Sequence, residues 1–150
     1  MLHLLRIALL TVTLFPALAW AADLTSPVGK WKTIDDETGT ERSLVEITEV
    51  NGELRGRIVK IFYQPGDKVD PVCELCEGEL KDKPVIGLQF LWGLKRDGSD
   101  WAGGGVLDPK NGKTYNAKLS LTDGGQKLRM RGYIGTPILG RTQVWLREPD

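Results

Sequence analysis

From Lys30 onward apolar side chains recur at alternate positions in short runs, and turn residues separate the runs. A period of two marks strands with one buried face, because successive side chains of a strand point to opposite sides. Lys113 to Thr122 shows it most plainly, with Tyr115, Ala117, Leu119 and Leu121 on one face and Asn116, Lys118 and Ser120 on the other. The same reading gives strands over Lys30 to Ile34, Arg42 to Val50, Glu53 to Tyr63, Val85 to Lys95, Trp101 to Leu107, Lys127 to Ile134 and Gly140 to Arg147. Between them stand Asp35 to Gly39, Asn51-Gly52, Asp97-Gly98, Asp108 to Gly112 and Asp123 to Gly125, residues that tight turns require. Eight strands joined mostly by tight turns hide their edges by closing into an up-and-down antiparallel barrel, and a β-sandwich is the alternative.

The N-terminal segment follows a different pattern. The free amine and Arg6 precede an apolar run from Ile7 to Ala19 that ends in small residues. That is the layout of a secretory signal peptide, and the run falls short of the ~20 apolar residues of a spanning helix. Ala17-Leu18-Ala19 and Ala19-Trp20-Ala21 both suit signal peptidase, and the second leaves the polar start Ala22-Asp23. The expected organisation is a signal peptide over 1–21 and a single β-barrel domain over 22–150, soluble in the periplasm or secreted, with no membrane span.

Composition narrows the chemistry. Lys and Arg number 20 against 20 Asp and Glu, so no basic footprint for nucleic acid is present. The only histidine is His3, inside the expected signal. Its loss removes Ser-His-Asp and Cys-His catalysis, histidine zinc sites and histidine-ligated haem, and the chain is expected to be no enzyme and to carry no cofactor and no metal. Asp35, Asp36 and Glu37, consecutive carboxylates at a hairpin tip, have nothing to separate their pKa values as an acid and base pair must. Gly103-Gly104-Gly105 lacks the lysine and hydroxyl of a phosphate loop; in a strand it permits close approach of a backbone or ligand, or a sharp bend.

Cys73-Glu74-Leu75-Cys76 falls in residues 64–84, the one long irregular connection. Redox chemistry would want the first thiolate at a helix N-terminus, whereas here Asp70, Glu74, Glu77 and Glu79 crowd the motif and disfavour thiolate. A zinc site would need two further soft ligands. A local disulfide between Cys73 and Cys76, pinning the loop, fits an oxidising compartment best, with a thiol-disulfide protein as a lesser reading. The aromatic residues spread over nearly every strand, and Phe90 and Trp92 are expected to share an inward face with Leu88 and Leu94.

Three segments carry a resemblance: Gly29-Lys30-Trp31; Trp101-Ala102-Gly103-Gly104 leading to Asp108 through Tyr115; and Arg131-Gly132-Tyr133-Ile134-Gly135 leading to Gly140 through Trp145. Together they resemble the DUF2147 family of small exported bacterial proteins, from about Pro27 to Arg147, and Cys73 and Cys76 followed by Gly78 are similar to the pair many members carry. The resemblance implies a lipocalin-like barrel. It further implies that Trp31 and a late arginine, Arg141, pack across the closed end as in calycins, although alternation leaves open whether Arg141 points inward. The function expected is non-enzymatic binding of a small lipophilic ligand, apolar or amphipathic, by Trp31, Phe90, Trp92, Trp101, Tyr115 and Tyr133. The alternative is an envelope protein-protein interaction module with a filled barrel.

Overall fold

The computed structural model describes residues 23–149, so the expected signal peptide and its cleavage point lie outside the described residues. Eight strands follow one another in the order β1 (Gly29–Ile34), β2 (Glu41–Val50), β3 (Glu53–Ile61), β4 (Gln89–Asp97), β5 (Asp100–Asp108), β6 (Lys113–Thr122), β7 (Lys127–Tyr133) and β8 (Gly140–Glu148). Each pairs antiparallel with its neighbour in sequence, and β8 returns to β1, so the sheet closes as an all-β, lipocalin-like meander barrel.

The alternation on β6 holds. Ala117 and Leu119 are buried, and their partners across the ladders, Gly132 and Met130 on β7, share their inward face. On β8 the inward set is Arg141, Gln143, Trp145 and Arg147, facing Gly132, Met130 and Leu128 on β7 and Trp31 on β1. The barrel interior is packed from Trp31, Ile47, Leu54, Leu94, Leu119 and Leu128, all fully buried.

Two expectations about β4 fail. The strand begins at Gln89 rather than Val85, because Val85 to Leu88 forms a turn closed by the Leu88 N–H on the Val85 carbonyl at 3.2 Å. The inward series Leu88, Phe90, Trp92, Leu94 also breaks. The β3–β4 ladder shifts register on both sides of Gly56, so Phe90 and Leu91 are both buried and Trp92 turns outward. One extra residue in a ladder reverses the parity that follows it, and a second one between Leu91 and Leu94, at Gly93 with its positive φ, returns Leu94 to the interior. Trp92 then lies across Gly105 on β5, where a Cβ would come within 2.5 Å of the indole. Its neighbour Gly104 is held against the β4 backbone, where a Cβ would meet the Trp92 carbonyl oxygen at 2.1 Å, so the glycine run serves close backbone approach.

The turns divide the barrel into two ends. At one lie the β2–β3, β4–β5 and β6–β7 turns; Asn51 and Gly52, both with positive φ, make the first of these. At the other lie the β1–β2, β5–β6 and β7–β8 turns and the long β3–β4 connection. Cys73 and Cys76 form a disulfide within that connection, with Cα atoms 5.3 Å apart and both residues buried. The clasped loop is seated on the β5–β6 turn. Cys73 Sγ lies 3.5 Å from the Pro109 carbonyl oxygen, and a Cβ on Gly112 would collide with the Leu75 carbonyl oxygen at 1.9 Å.

Candidate functional site

The two ends differ in how their interiors are filled. At the end holding the start of β1, Trp31 is fully buried and donates its Nε1 hydrogen to the Pro27 carbonyl at 2.9 Å. The Arg147 guanidinium stacks 4.2 Å from the Trp31 ring centroid and donates to the carbonyls of Gly125, Val28 and Ser26 at 2.7, 3.2 and 2.7 Å. This end is plugged. The arginine that closes it is therefore Arg147, not Arg141. Both share the inward face of β8, but Trp31 pairs directly with Arg147, whereas Arg141 stands at the opposite end of the strand.

The other end encloses a cavity of about 830 Å³. Its floor is apolar, built from Val45, Ile58, Phe90, Val106, Met130 and Trp145, with the Phe90 and Trp145 rings 6.0 Å apart at 54°. Its wall carries the neutral polar side chains of Thr33, Ser43, Asn111, Tyr115 and Gln143. Thr33 and Ser43 hydroxyls share a 2.7 Å hydrogen bond, Trp145 Nε1 donates to Gln143 Oε1 at 3.1 Å, and Asn111 Nδ2 donates to the Tyr115 hydroxyl at 3.0 Å. A concave site of this size, mostly apolar with a few placed polar groups, is what small-molecule binding requires.

Of the cations that border the cavity, Arg42, Lys68 and Arg141 are paired with carboxylates. Arg141 grips Asp36 with two hydrogen bonds of 2.7 and 2.5 Å and reaches Glu37 at 3.4 Å. The guanidinium holds the Asp36 carboxyl below the usual carboxylate range, and Asp36 in turn raises the Arg141 pKa. Asp67 is lowered by the Gln64 backbone N–H and then by Arg42, whose guanidinium sits 3.3 Å away. Asp35 is lowered by the Thr38 and Glu37 backbone N–H groups, so it caps its own turn. The three consecutive residues Asp35, Asp36 and Glu37 thus work as hairpin and latch groups. Among the described residues no cluster of His, Cys, Asp or Glu is placed to hold a metal ion.

The aromatic residues expected to line a ligand site separate into two groups. Phe90, Tyr115 and Tyr133 border the cavity, and Tyr115 and Tyr133 also border the outer groove beside Trp92. Trp31 belongs to the plug. Trp101 is buried near the plugged end, with the Arg96 guanidinium 4.4 Å from its ring, because it opens β5 beside the Asp97-Gly98 turn. Trp92 faces the outside, bordering a shallow groove floored by Gly103, Gly104 and Gly105. Trp145, Met130 and Gln143 line the cavity and were missed by sequence reasoning. Their parity carried the signal: Gln143 and Trp145 alternate with Arg141 and Arg147, and fixing any one of the four as inward fixes them all.

The described fold is similar to a solved structure, protein HP1028 from Helicobacter pylori, described as belonging to the lipocalin family. The TM-score is 0.71 at 23% sequence identity, over 83% of this chain and 84% of that one. No curated protein sequence matches. Residues 29–147 match the family described as "Uncharacterized protein conserved in bacteria (DUF2147)". With nearly every strand of the barrel inside that match, the chain belongs to the DUF2147 family.

Proposed function

We propose that the protein is a non-enzymatic carrier that binds a small apolar or amphipathic molecule inside the open end of its barrel, and that it does so in the periplasm or outside the cell after losing residues 1–21. One observation carries this reading: an interior of about 830 Å³ is left open above an apolar floor while the opposite end is plugged by side chains. A filled barrel would have pointed to a pure interaction module. The likeness to a lipocalin-family structure supports the same reading at the level of fold. The disulfide takes no part, since both cysteines are buried against the β5–β6 turn and offer no sulfur to a partner thiol.

One feature favours a second reading, an envelope interaction module. Ile138 and Leu139, in the β7–β8 turn beside the mouth, are 86% and 73% exposed. Native mass spectrometry and organic extraction of protein taken directly from the periplasm discriminate the two. A bound molecule released on extraction, together with saturable quenching of tryptophan emission that Trp145→Phe reduces, supports the carrier. Protein that carries nothing extractable and whose emission no lipophile perturbs belongs with the interaction module.

A further inference from the structure

The polar groups of the cavity wall are not equivalent once each hydrogen is assigned. An indole N–H can only donate, so the Gln143 amide must turn its oxygen to Trp145 Nε1, which leaves the two Nε2 hydrogens without a partner among the described residues. The Lys113 backbone N–H donates to Asn111 Oδ1 at 2.8 Å, which fixes that amide as well and aims its Nδ2 at the Tyr115 hydroxyl. Tyr115 therefore accepts, and its own O–H is unspent. Thr33 and Ser43 satisfy each other: Ser43 N–H donates to Thr33 Oγ1 at 3.1 Å, the Thr33 hydroxyl lies 3.4 Å from the Ser43 carbonyl, and the two hydroxyls are bonded together. Among these neutral groups, what is left to offer is donors on an apolar background.

Charge gives the second half of the argument. No ionised side chain stands on the cavity floor, and three of the rim cations face carboxylates: Arg42 faces Asp67, Arg141 faces Asp36 and Glu37, and Lys68 faces Glu74. Lys110 and Asp108 border the same end of the cavity without an ion pair among the described residues. A charged guest seated on the apolar floor would bury its charge without a partner there, whichever its sign.

We infer that the cavity selects an uncharged amphiphile carrying a hydrogen-bond acceptor, such as a ketone, ester or quinone carbonyl, which Gln143 Nε2 and the Tyr115 hydroxyl recognise while the apolar body rests on Phe90, Met130 and Trp145. This inference rests on the proposed binding function. It names the guest's polar group and the two side chains that read it.

The test uses three guests of similar length, methyl decyl ketone, dodecanoate and decylbenzene, each competing at neutral pH against N-phenylnaphthylamine fluorescence on the purified protein. The expected order is ketone tightest, with decylbenzene and dodecanoate weaker. Gln143→Leu and Tyr115→Phe should each lower the ketone's advantage over decylbenzene by roughly three- to ten-fold, the worth of one hydrogen bond to a neutral acceptor. Gln143→Glu, which retains an acceptor for Trp145 and nearly the same volume, should remove the same advantage and guards against misfolding of the leucine variant. Dodecanoate binding as tightly as the ketone, or an advantage that survives all three substitutions, overturns the inference while leaving a carrier. Failure of the naphthylamine and of all three guests to bind overturns the carrier reading too.

Discussion

The two ends of the barrel are built from the same eight strands with the same alternation, yet one is plugged and the other hollow. Residue size at the inward positions makes the difference. At the plugged end β1 and β8 contribute Trp31 and Arg147, which stack, and Arg147 ties three backbone carbonyls from the segment before β1 and the β6–β7 turn. At the open end Gly132, Thr33, Ser43 and Val106 place small side chains on the lining, and the long inward side chain, Arg141, leaves the interior to reach Asp36. A carrier needs this asymmetry, since stability concentrated at one end permits empty volume at the other.

Three experiments probe that division. The largest effect is expected at the plug: Trp31→Ala should cost about 3–5 kcal/mol, as for other buried aromatic truncations, and denaturant unfolding measures it. Arg147→Leu should approach the same loss, because it leaves three carbonyl oxygens unpartnered along with the exposed indole face. A loss of less than ~1 kcal/mol for either would mean that the plug is not where stability resides.

A smaller effect is expected from replacing Cys73 and Cys76 together by serine. The disulfide closes a very short loop, so its chain-entropy contribution lies below the ~3 kcal/mol of a loop of about fifteen residues. Its position predicts where the change is felt. Hydrogen exchange should quicken in the β5–β6 turn, on which the clasped loop sits, and remain slow around Trp31. Uniform quickening would show that the two ends are not independent.

The smallest effect belongs to the Arg141 latch at the rim. The Asp36 pKa is lowered in the fold, so its contribution is present at neutral pH and is lost as acidification carries the solution below the ordinary carboxylate range, under about pH 4. Exposed pairs of this kind are worth less than ~1 kcal/mol. Asp36→Asn should therefore flatten the acid side of the stability profile slightly, without moving the unfolding midpoint at neutral pH by more than a small fraction.

How much of this was legible in the sequence depended on whether local pattern or ladder register decided the outcome. The eight strands, their order and their hairpins follow from alternation and turn residues such as Asn51-Gly52, because each pairing is between sequence neighbours. The disulfide followed from acidic neighbours that disfavour a thiolate and from the oxidising compartment expected of an exported chain. The cavity lining followed only in part: Phe90, Tyr115 and Tyr133 border it, but the bulge at Phe90 and Leu91 moves Trp92 from lumen to exterior. Gly93, with its positive φ, marks the second of the two register shifts, but nothing in the sequence marks the first, at Phe90 and Leu91, which lies opposite Gly56. The exchange of Arg141 for Arg147 has a related cause. Both arginines share one face, and which of them meets Trp31 depends on the stagger of β8 against β1, which is set by closure of the whole barrel.

That closure has a consequence for how the chain acquires its shape. Seven of the eight ladders join strands consecutive in sequence, so each can form as a local hairpin once its two strands exist. The eighth joins the ends of the chain, and the Arg147 bonds to Ser26 and Val28 span separations of 121 and 119 residues. Local hairpins pay little entropy on forming, whereas ring closure between distant segments pays the most and gains only when nearly everything between is in place. The meander can thus zip progressively from β1 during synthesis, but it remains an open ribbon with two bare edges until β8 arrives. The stacked tryptophan and arginine are then the knot tied last, and a chain truncated before Arg147 would be left with an unpaired edge instead of a slightly shorter barrel.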